Sequence, residues 1–397
     1  MIIKDRLASI AFFLLFAVAG SLTIAGASQT TTRQTTTTKS HGSSTHVEQT
    51  IHTDDNNWTW HHVDDNVDVK VTIRGEVEFA EDYSDVTAVS PASGELRVTE
   101  RRGGTTRKFE ATPGGDGIKR AYSVNGESKP LDAEARAWLA KLLSDTVRQG
   151  GYDAPRRVTR LLQRGGPRAV LAEISELKGD YVKRLYFSEM LKQGNLDADA
   201  ARLALQQAAR EISSDYEKAE LLISMANTYL RDDRFREVYL EGANTIRSDY
   251  ERGRTMKAVL KKDTLNKDNL LFALKSVAII SSDYEKAELL VKISHVFPLD
   301  QGLQEAYLDA ARSIRSDYEK GRAIAGLLDT DPARQEVWLT VVKGATLISS
   351  DYEKAQLLVR IAEACPRDEA VRNAVADAAR SIKSEYERGR VMSAISR

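Results

Sequence analysis

Val67, Val69, Val71 and Ile73 alternate with Asp68, Lys70 and Thr72, a period of two that puts the apolar side chains on one face of a strand. The run "VDVKVTIRGEVEF" continues through Gly75, which marks a bulge ahead of Val77 and Phe79. Shorter strands come next in "ELRVTER", "TTRKFEA" and "IKRAYSV", divided by Gly103-Gly104 and by the glycine-rich segment 114–117. Asn125-Gly126 then closes a tight hairpin into "ESKPL". The pattern predicts a small antiparallel sheet of about five strands over residues 67–130, with one face wet.

At Asp132 the period lengthens to that of a helix. Leu131, Ala135, Trp138, Leu139, Leu142 and Leu143 form one stripe, and Gly150-Gly151 stop it. Two short helical patterns at 158–162 and 170–177 are punctuated by Gly165-Gly166-Pro167. Residues 131–177 thus read as helices joining the sheet to the C-terminal half of the chain.

That C-terminal half is a repeat. Tyr181, Tyr216, Tyr250, Tyr284, Tyr318, Tyr352 and Tyr386 are spaced by 35 and then five times by 34 residues. Ile212, Ile246, Ile280, Ile314, Ile348 and Ile382 each precede one of the last six by four positions. A helical pattern of this period means stacked helical hairpins, here over residues 178–397. The text around the last six tyrosines, "SDYE" ("SEYE" at Tyr386), is a capping box. Ser214/Glu217, Ser248/Glu251, Ser282/Glu285, Ser316/Glu319, Ser350/Glu353 and Ser384/Glu387 are the pairs. In each, the Ser hydroxyl is expected to accept from the Glu N–H, while the Glu carboxylate reaches back to the Ser N–H. Each such cap contributes about 1 kcal/mol.

Units alternate in kind. Three positions after each of the last six Tyr stand Ala219, Gly253, Ala287, Gly321, Ala355 and Gly389, small residues that let the helix approach its neighbour. In the alanine units Tyr216, Ala219, Ile223 and Ala226 share a face, as do Tyr352, Ala355, Val359 and Ala362. In the glycine units the matching core pairs are Met256 and Val259, Ile324 and Leu327, and Met392 and Ile395. Glu220, Arg254, Glu288, Arg322, Gln356 and Arg390 alternate in charge one place further on and are expected to meet across successive units, fixing register more than stability. The second helices show one apolar side (Leu203, Ala204, Ala208, Ile212), and Asp331-Pro332 starts one of them. "SEYERGRVMSAISR" supplies a last, unpaired first helix that is expected to cap the stack.

Composition narrows the partners. Of 397 residues 57 are Lys or Arg and 58 Asp or Glu, a balance that argues against a nucleic-acid binder. The row Lys183, Lys218, Arg252, Lys286, Lys320, Lys354 and Arg388 runs beside an equally long acidic row from Asp180 to Glu385, which reads as a solvated rim. The N-terminus reads as an export signal over residues 1–27: Lys4 and Arg6, an apolar run at 7–19, and Ala25-Gly26-Ala27 as the cleavage site. The alternative is an uncleaved anchor, since 7–27 is just long enough to span a bilayer. Either way the remainder is expected in the periplasm or outside the cell. Residues 28–66, rich in Thr, Ser, His and Asp, read as a disordered linker. Trp58 and Trp60 within it are either the start of the first strand or an anchor for a partner.

The 34-residue period is that of tetratricopeptide repeats, but the signature S-D-Y-E-[KR]-[AG] replaces that family's set residues, and no Pro marks the unit junction. The stretches "VDVKVTIRGEVEF", "LDAEARAWLAKLL" and "SDYEKAELL" resemble the extracytoplasmic regions of bacterial exported proteins, including extensions of antibiotic-sensing membrane metallopeptidases. The resemblance covers about residues 67 to 397. It implies the non-catalytic part alone, because the peptidase's zinc-binding H-E-x-x-H does not occur in the sequence.

Candidate chemistry is sparse. His41, His46, His52, His61 and His62 lie near Asp54, Asp55, Asp64 and Asp65, a set that could capture Zn²⁺ or Cu²⁺ loosely, with His61, His62 and Asp64 the best candidates. Their spacing matches no preformed site. Cys365, the single cysteine, has no His near it in sequence, and His295 is an isolated helical residue. No P-loop, Gly-x-Ser-x-Gly or Rossmann glycine pattern is present, and no cofactor is expected. The expected molecule is α+β and mostly α: a small antiparallel β-domain, then an α-solenoid of TPR/HEAT-like hairpins. As a function it implies a non-enzymatic exported scaffold that binds protein partners. The alternative is an envelope sensor whose β-domain takes a ligand.

Overall fold

The strand read at 67–79 forms as β4 (Val67–Phe79), and its alternation is the alternation of burial: Val67, Val69, Val71, Ile73 and Val77 are all buried. The computed structural model describes residues 30–396 apart from 41–42, 55, 116, 195, 231, 262–264, 330–334 and 365–367. The proposed export signal, His41, Asp55, Asp331, Pro332 and Cys365 lie outside the described residues. Two compact units divide at 154/155.

In the first unit β4 is one of eight antiparallel strands in sequential order among the described residues: β1 (Thr30–Ser40), β2 (Ser43–Thr53), β3 (Asn57–Val63), β4, β5 (Val86–Arg102), β6 (Thr105–Gly114), β7 (Gly117–Val124) and β8 (Glu127–Ser128). The β4/β5 register shifts between Arg74 and Glu76, so Gly75 is the bulge. Its φ is +69°, and a Cβ there would lie 2.4 Å from the Ser90 carbonyl oxygen, so no side chain fits. Asn125 and Gly126 both take positive φ, as their hairpin requires.

The linker expected at 28–66 is corrected by the first three strands. Composition hid them because their apolar side chains are few, but Ile51, Trp58 and Trp60 are all buried. Trp58 and Trp60 belong to β3, and they close on helix α1 (Ala133–Gly150). A Cβ at Gly150 would meet the Trp58 ring at 2.8 Å and the Trp60 ring at 3.1 Å. The helix buries Ala135, Leu139, Leu142, Leu143 and Val147. Trp138 Nε1 donates to Glu100 Oε2 at 2.7 Å, and Arg107 pairs with Glu134 at 2.9 Å. The first helical stripe therefore belongs to the sheet's own core and does not act as a connector.

The other connecting helix belongs to the second unit. In α2 (Ala154–Glu176) the backbone leaves helical geometry at Gly165 and Gly166, so the element works as two short helices. Its first half meets the next hairpin through Thr159 and Gln193, its second through Gln207, which donates to the Leu171 carbonyl at 2.8 Å. The stack thus begins one hairpin before the first "DY" signature. After it come the first-layer helices α3 (Asp180–Gln193), α5 (Asp215–Tyr229), α7 (Asp249–Val259), α9 (Asp283–Val296), α11 (Asp317–Ala325), α13 (Asp351–Ala364) and α15 (Glu385–Ile395). They alternate with second-layer helices α4 (Ala198–Glu211), α6 (Asp233–Asn244), α8 (Lys267–Ala278), α10 (Gln301–Arg312), α12 (Gln335–Ala345) and α14 (Glu369–Ala379).

The six isoleucines that end the second layer are buried, as their placement predicts. The faces of the first layer are rotated from the expected ones. In α5 the buried set is Ala219, Leu221, Leu222, Met225 and Ala226, with Ile223 half-buried; in α13 it is Ala355, Leu357, Leu358, Ile361 and Ala362, with Val359 half-buried. Leu203 faces outward at 44% exposure, and Leu205 takes its place in the core of α4. Met256, Val259, Ile324 and Leu327 are buried as expected, but Met392 is 44% exposed and α15 buries Val391 and Ala394 instead. Among the described residues no helix is long and apolar enough to cross a membrane.

Candidate interaction surface

Each SDYE turn starts a helix, but only half of the expected capping box forms. Ser214, Ser248, Ser282, Ser316, Ser350 and Ser384 accept through Oγ from the N–H of Glu217, Glu251, Glu285, Glu319, Glu353 and Glu387, each at 3.3 Å. The Ser N–H is not taken by the Glu. It donates to the Asp carboxylate one unit earlier: Ser214 to Asp180 (2.7 Å), Ser248 to Asp215 (2.8 Å), Ser282 to Asp249 (2.8 Å), Ser316 to Asp283 (2.8 Å), Ser350 to Asp317 (2.7 Å) and Ser384 to Asp351 (2.8 Å). The stack brings a neighbour's Asp within reach of this amide, and a charged acceptor makes the stronger bond. Gly179 stands where Ser would precede Asp180, and Glu385 where Asp would follow Ser384.

The carboxyls respond to these donors. Burial alone would raise Asp283, yet the Ser316 and Arg315 amides and the charges of Arg315 and Lys286 hold it below the ordinary carboxylate value. At Asp317 burial is likewise outweighed by the Ser349 and Ser350 amides and by Lys320. At Asp351 the Ser384 amide is the largest influence and lowers the pKa directly.

The basic row is not a rim. Lys218, Arg252, Lys286, Lys320 and Lys354 are only 5–8% exposed. They reach the C-terminal ends of second-layer helices: Lys218 to Thr245 Oγ1 (3.0 Å), Lys286 to the Ser313 carbonyl (2.8 Å), Lys320 to the Leu347 carbonyl (3.2 Å) and Lys354 to Ser381 Oγ (3.0 Å). Arg252 donates to the Ile246 carbonyl at 2.8 Å. A helix C-terminus carries partial negative charge and unpaired carbonyls, so a cation there satisfies both. Desolvation lowers the pKa of Lys218 and Lys286, against the pull of nearby Asp.

With the Ser amide already bonded, the Glu carboxylates turn to cations. Glu251, Glu319 and Glu387 pair with Arg254 (2.7 Å), Arg322 (2.8 Å) and Arg390 (2.6 Å) in their own helices. Glu285 pairs with Lys257 of the preceding first-layer helix at 3.1 Å, and Glu217 with Arg184. The charge alternation meets across units as expected: Arg254 pairs with Glu220 at 2.7 Å, and Arg322 with Glu288. Close approach also holds at Ala219, Ala287 and Ala355, all fully buried, and at Gly253, where a Cβ would strike the Glu285 carboxylate. Gly389 faces open space.

The tyrosines overturn the expected packing. Tyr250, Tyr284, Tyr318, Tyr352 and Tyr386 are 51–74% exposed, and Tyr216 is half-buried. Each is the second residue of its helix, so the row lies along the helix N-terminal edge of the first layer. Guanidiniums lie over some rings: Arg254 over Tyr250 (5.9 Å), Arg322 over Tyr284 of the preceding unit (5.3 Å) and Arg390 over Tyr352 of the preceding unit (6.0 Å). The sequence hides this outward row because Tyr and the small residue share a helical face, while the core is centred on the leucines beside them.

Among the described residues His52, His61 and His62 do not converge. His61 and His62 are successive on β3 and point to opposite faces. His61 Nε2 lies 2.9 Å from Asp68, His62 lies 3.5 Å from Asp64, and His52 lies 3.6 Å from Asp54. Among the described residues no group of three His, Cys, Asp or Glu side chains is placed to hold a metal. His295 is exposed in the last turn of α9.

No family model and no curated protein matches this chain. One solved structure that it is similar to comes from "Computational Design of Self-Assembling Cyclic Protein Homooligomers", at 13% identity and a TM-score of 0.14, covering 64% of this chain and 90% of that one. A likeness at that score carries no inference about this protein.

Proposed function

We propose that the protein is a non-enzymatic, exported scaffold whose helical array binds a protein partner along the tyrosine edge. The carrying observation is the division of labour within the repeat. Asp joins unit to unit, Lys or Arg closes the hairpin, and Glu meets Arg. Tyr is the recurring group that faces outward. An exposed aromatic of low side-chain entropy is a common anchor at protein interfaces. The N-terminal apolar run supports export, and the SDYE-type resemblance to extracytoplasmic regions supports the same location.

A photo-crosslinking amino acid placed at Tyr284, Tyr318 or Tyr352 of the full chain, expressed in its native cells, tests the reading. A discrete protein adduct is expected from these positions and not from a control on the opposite end of the same helix, such as Lys292. No adduct from any of the three would overturn it.

A further inference from the structure

Resting on that scaffold reading, we infer that the tyrosine edge takes a proline-rich segment in polyproline II conformation, with basic residues at intervals. The first argument is spacing. The tyrosines sit at one position on adjacent first-layer helices, and packed helices lie about 8–10 Å apart. A polyproline II helix has three residues per turn and a rise of 3.1 Å, or about 9 Å per turn. Such a ligand laid across the helices repeats its surface once per tyrosine. An extended strand, at about 3.3 Å per residue and a side-chain period of two, repeats at about 6.6 Å and drifts out of step.

The second argument is chemistry. Proline rings pack on exposed aromatic faces, and polyproline II leaves its carbonyls free to accept hydrogen bonds. The hydroxyls of Tyr250, Tyr284, Tyr318 and Tyr386 have no partner among the described residues and are placed to donate. Tyr352 already accepts from Gln356, and its own hydrogen remains available to donate.

The third argument is charge. The Lys/Arg row that balances the acidic row in sequence is turned inward to the second-layer helix ends. Arg254 and Arg322 are each shared between two glutamates, which leaves a carboxylate in excess at each pair. Exposed Arg247, Arg315 and Lys383 stand beside the glycine units only, where the alanine units have Ser213, Ser281 and Ser349. The edge is therefore more acidic at every second unit, which matches a cation at every second turn of the ligand.

Fluorescence anisotropy with the full chain tests this, using labelled (Pro-Pro-Arg-Pro-Pro-Ser)₃ as the probe. It is expected to bind at least about tenfold more tightly than (Pro-Pro-Glu-Pro-Pro-Ser)₃ or the flexible (Gly-Ser-Arg-Gly-Ser-Ser)₃. The triple substitution Y284A/Y318A/Y352A should weaken binding by about tenfold or more while leaving circular dichroism and Tm unchanged. Y284F/Y318F/Y352F should lie between, since it keeps the ring and loses the donor. Equal binding of the flexible peptide would show simple charge attraction and overturn the inference. So would binding untouched by the alanine triple, or binding of a soluble glycan oligomer in place of the proline peptide. Cross-links from the tyrosine edge in cells, with no affinity for the proline probe, would sink this inference and leave the scaffold reading standing.

Discussion

Two rows of tyrosine in the array have opposite fates. Tyr239 in α6 and Tyr307 in α10 are fully buried and donate to the carbonyls of Thr255 (2.9 Å) and Ala323 (2.6 Å), sixteen residues onward in the next first-layer helix. Burial drives both hydroxyls well above the usual phenol range. The tyrosines of the repeated turn from Tyr250 onward stand in solvent. Several core positions accept any apolar side chain of fitting size, and the equivalent residues Met225, Ile293 and Ile361 differ accordingly. Apart from the buried Ile that closes each second-layer helix, the letters that repeat with least change are those with a directed bond to make at a seam, together with one group that the array's own packing does not use.

Substitutions should separate the inner row, the seams and the outer row by the size of their effects. Tyr307→Ala, which empties a core site and removes a buried hydrogen bond, should cost about 3–5 kcal/mol in urea denaturation. A loss below about 1 kcal/mol would mean the second-layer core is not close-packed there. Asp283→Ala leaves the Ser316 amide without its acceptor and should cost about 1–3 kcal/mol, whereas Asp283→Asn should recover part of that.

The same seams carry a pH signature. Asp283, Asp317 and Asp351 have depressed folded values, so their stabilisation is complete above about pH 4 and is lost as pH falls through those lower values. Tm measured from about pH 5 to pH 2 should fall less steeply in the triple Asp→Asn variant than in the parent. Parallel curves would place the acid sensitivity elsewhere. Ser316→Ala, which removes a cap acceptor while keeping the amide, should cost about 1 kcal/mol by the same denaturation assay. Smallest of all, Tyr318→Ala should change stability by less than about 0.5 kcal/mol. A larger loss would show the outer tyrosines to be structural after all.

Much of the architecture was legible because it rests on short-range periodicity. The alternation of Val67 to Ile73, the bulge at Gly75, the hairpin at Asn125-Gly126 and the 34-residue period each appear in the residues that form them. The hydrogen-bonded seams were not legible, although the Glu220–Arg254 pairing across units was. The Asp180 carboxylate meets an amide 34 residues away, and Lys286 meets a carbonyl 27 residues away, so their partners exist only after the hairpins stack. Local chemistry suggested the nearest partner, the Glu of the same turn, and the neighbouring unit supplied a better one. The early strands failed for a different reason. Average composition over 28–66 concealed three well-placed apolar residues, Ile51, Trp58 and Trp60, and the two tryptophans are covered by a helix that begins only at Ala133.

The direction of the Asp-to-Ser bond has a consequence for length. Every junction offers an acceptor on one side and an amide on the other, and nothing in it refers to a unit's place in the series. Excising residues 283–350 would set Ser282 directly before Asp351, in a turn spelled with the same letters as the one removed. Asp249 would keep its Ser282, and Asp351 would keep its Ser384. The number of hairpin pairs is thus a quantity that duplication or deletion of a gene segment can change in whole steps, with no junction left to be reinvented.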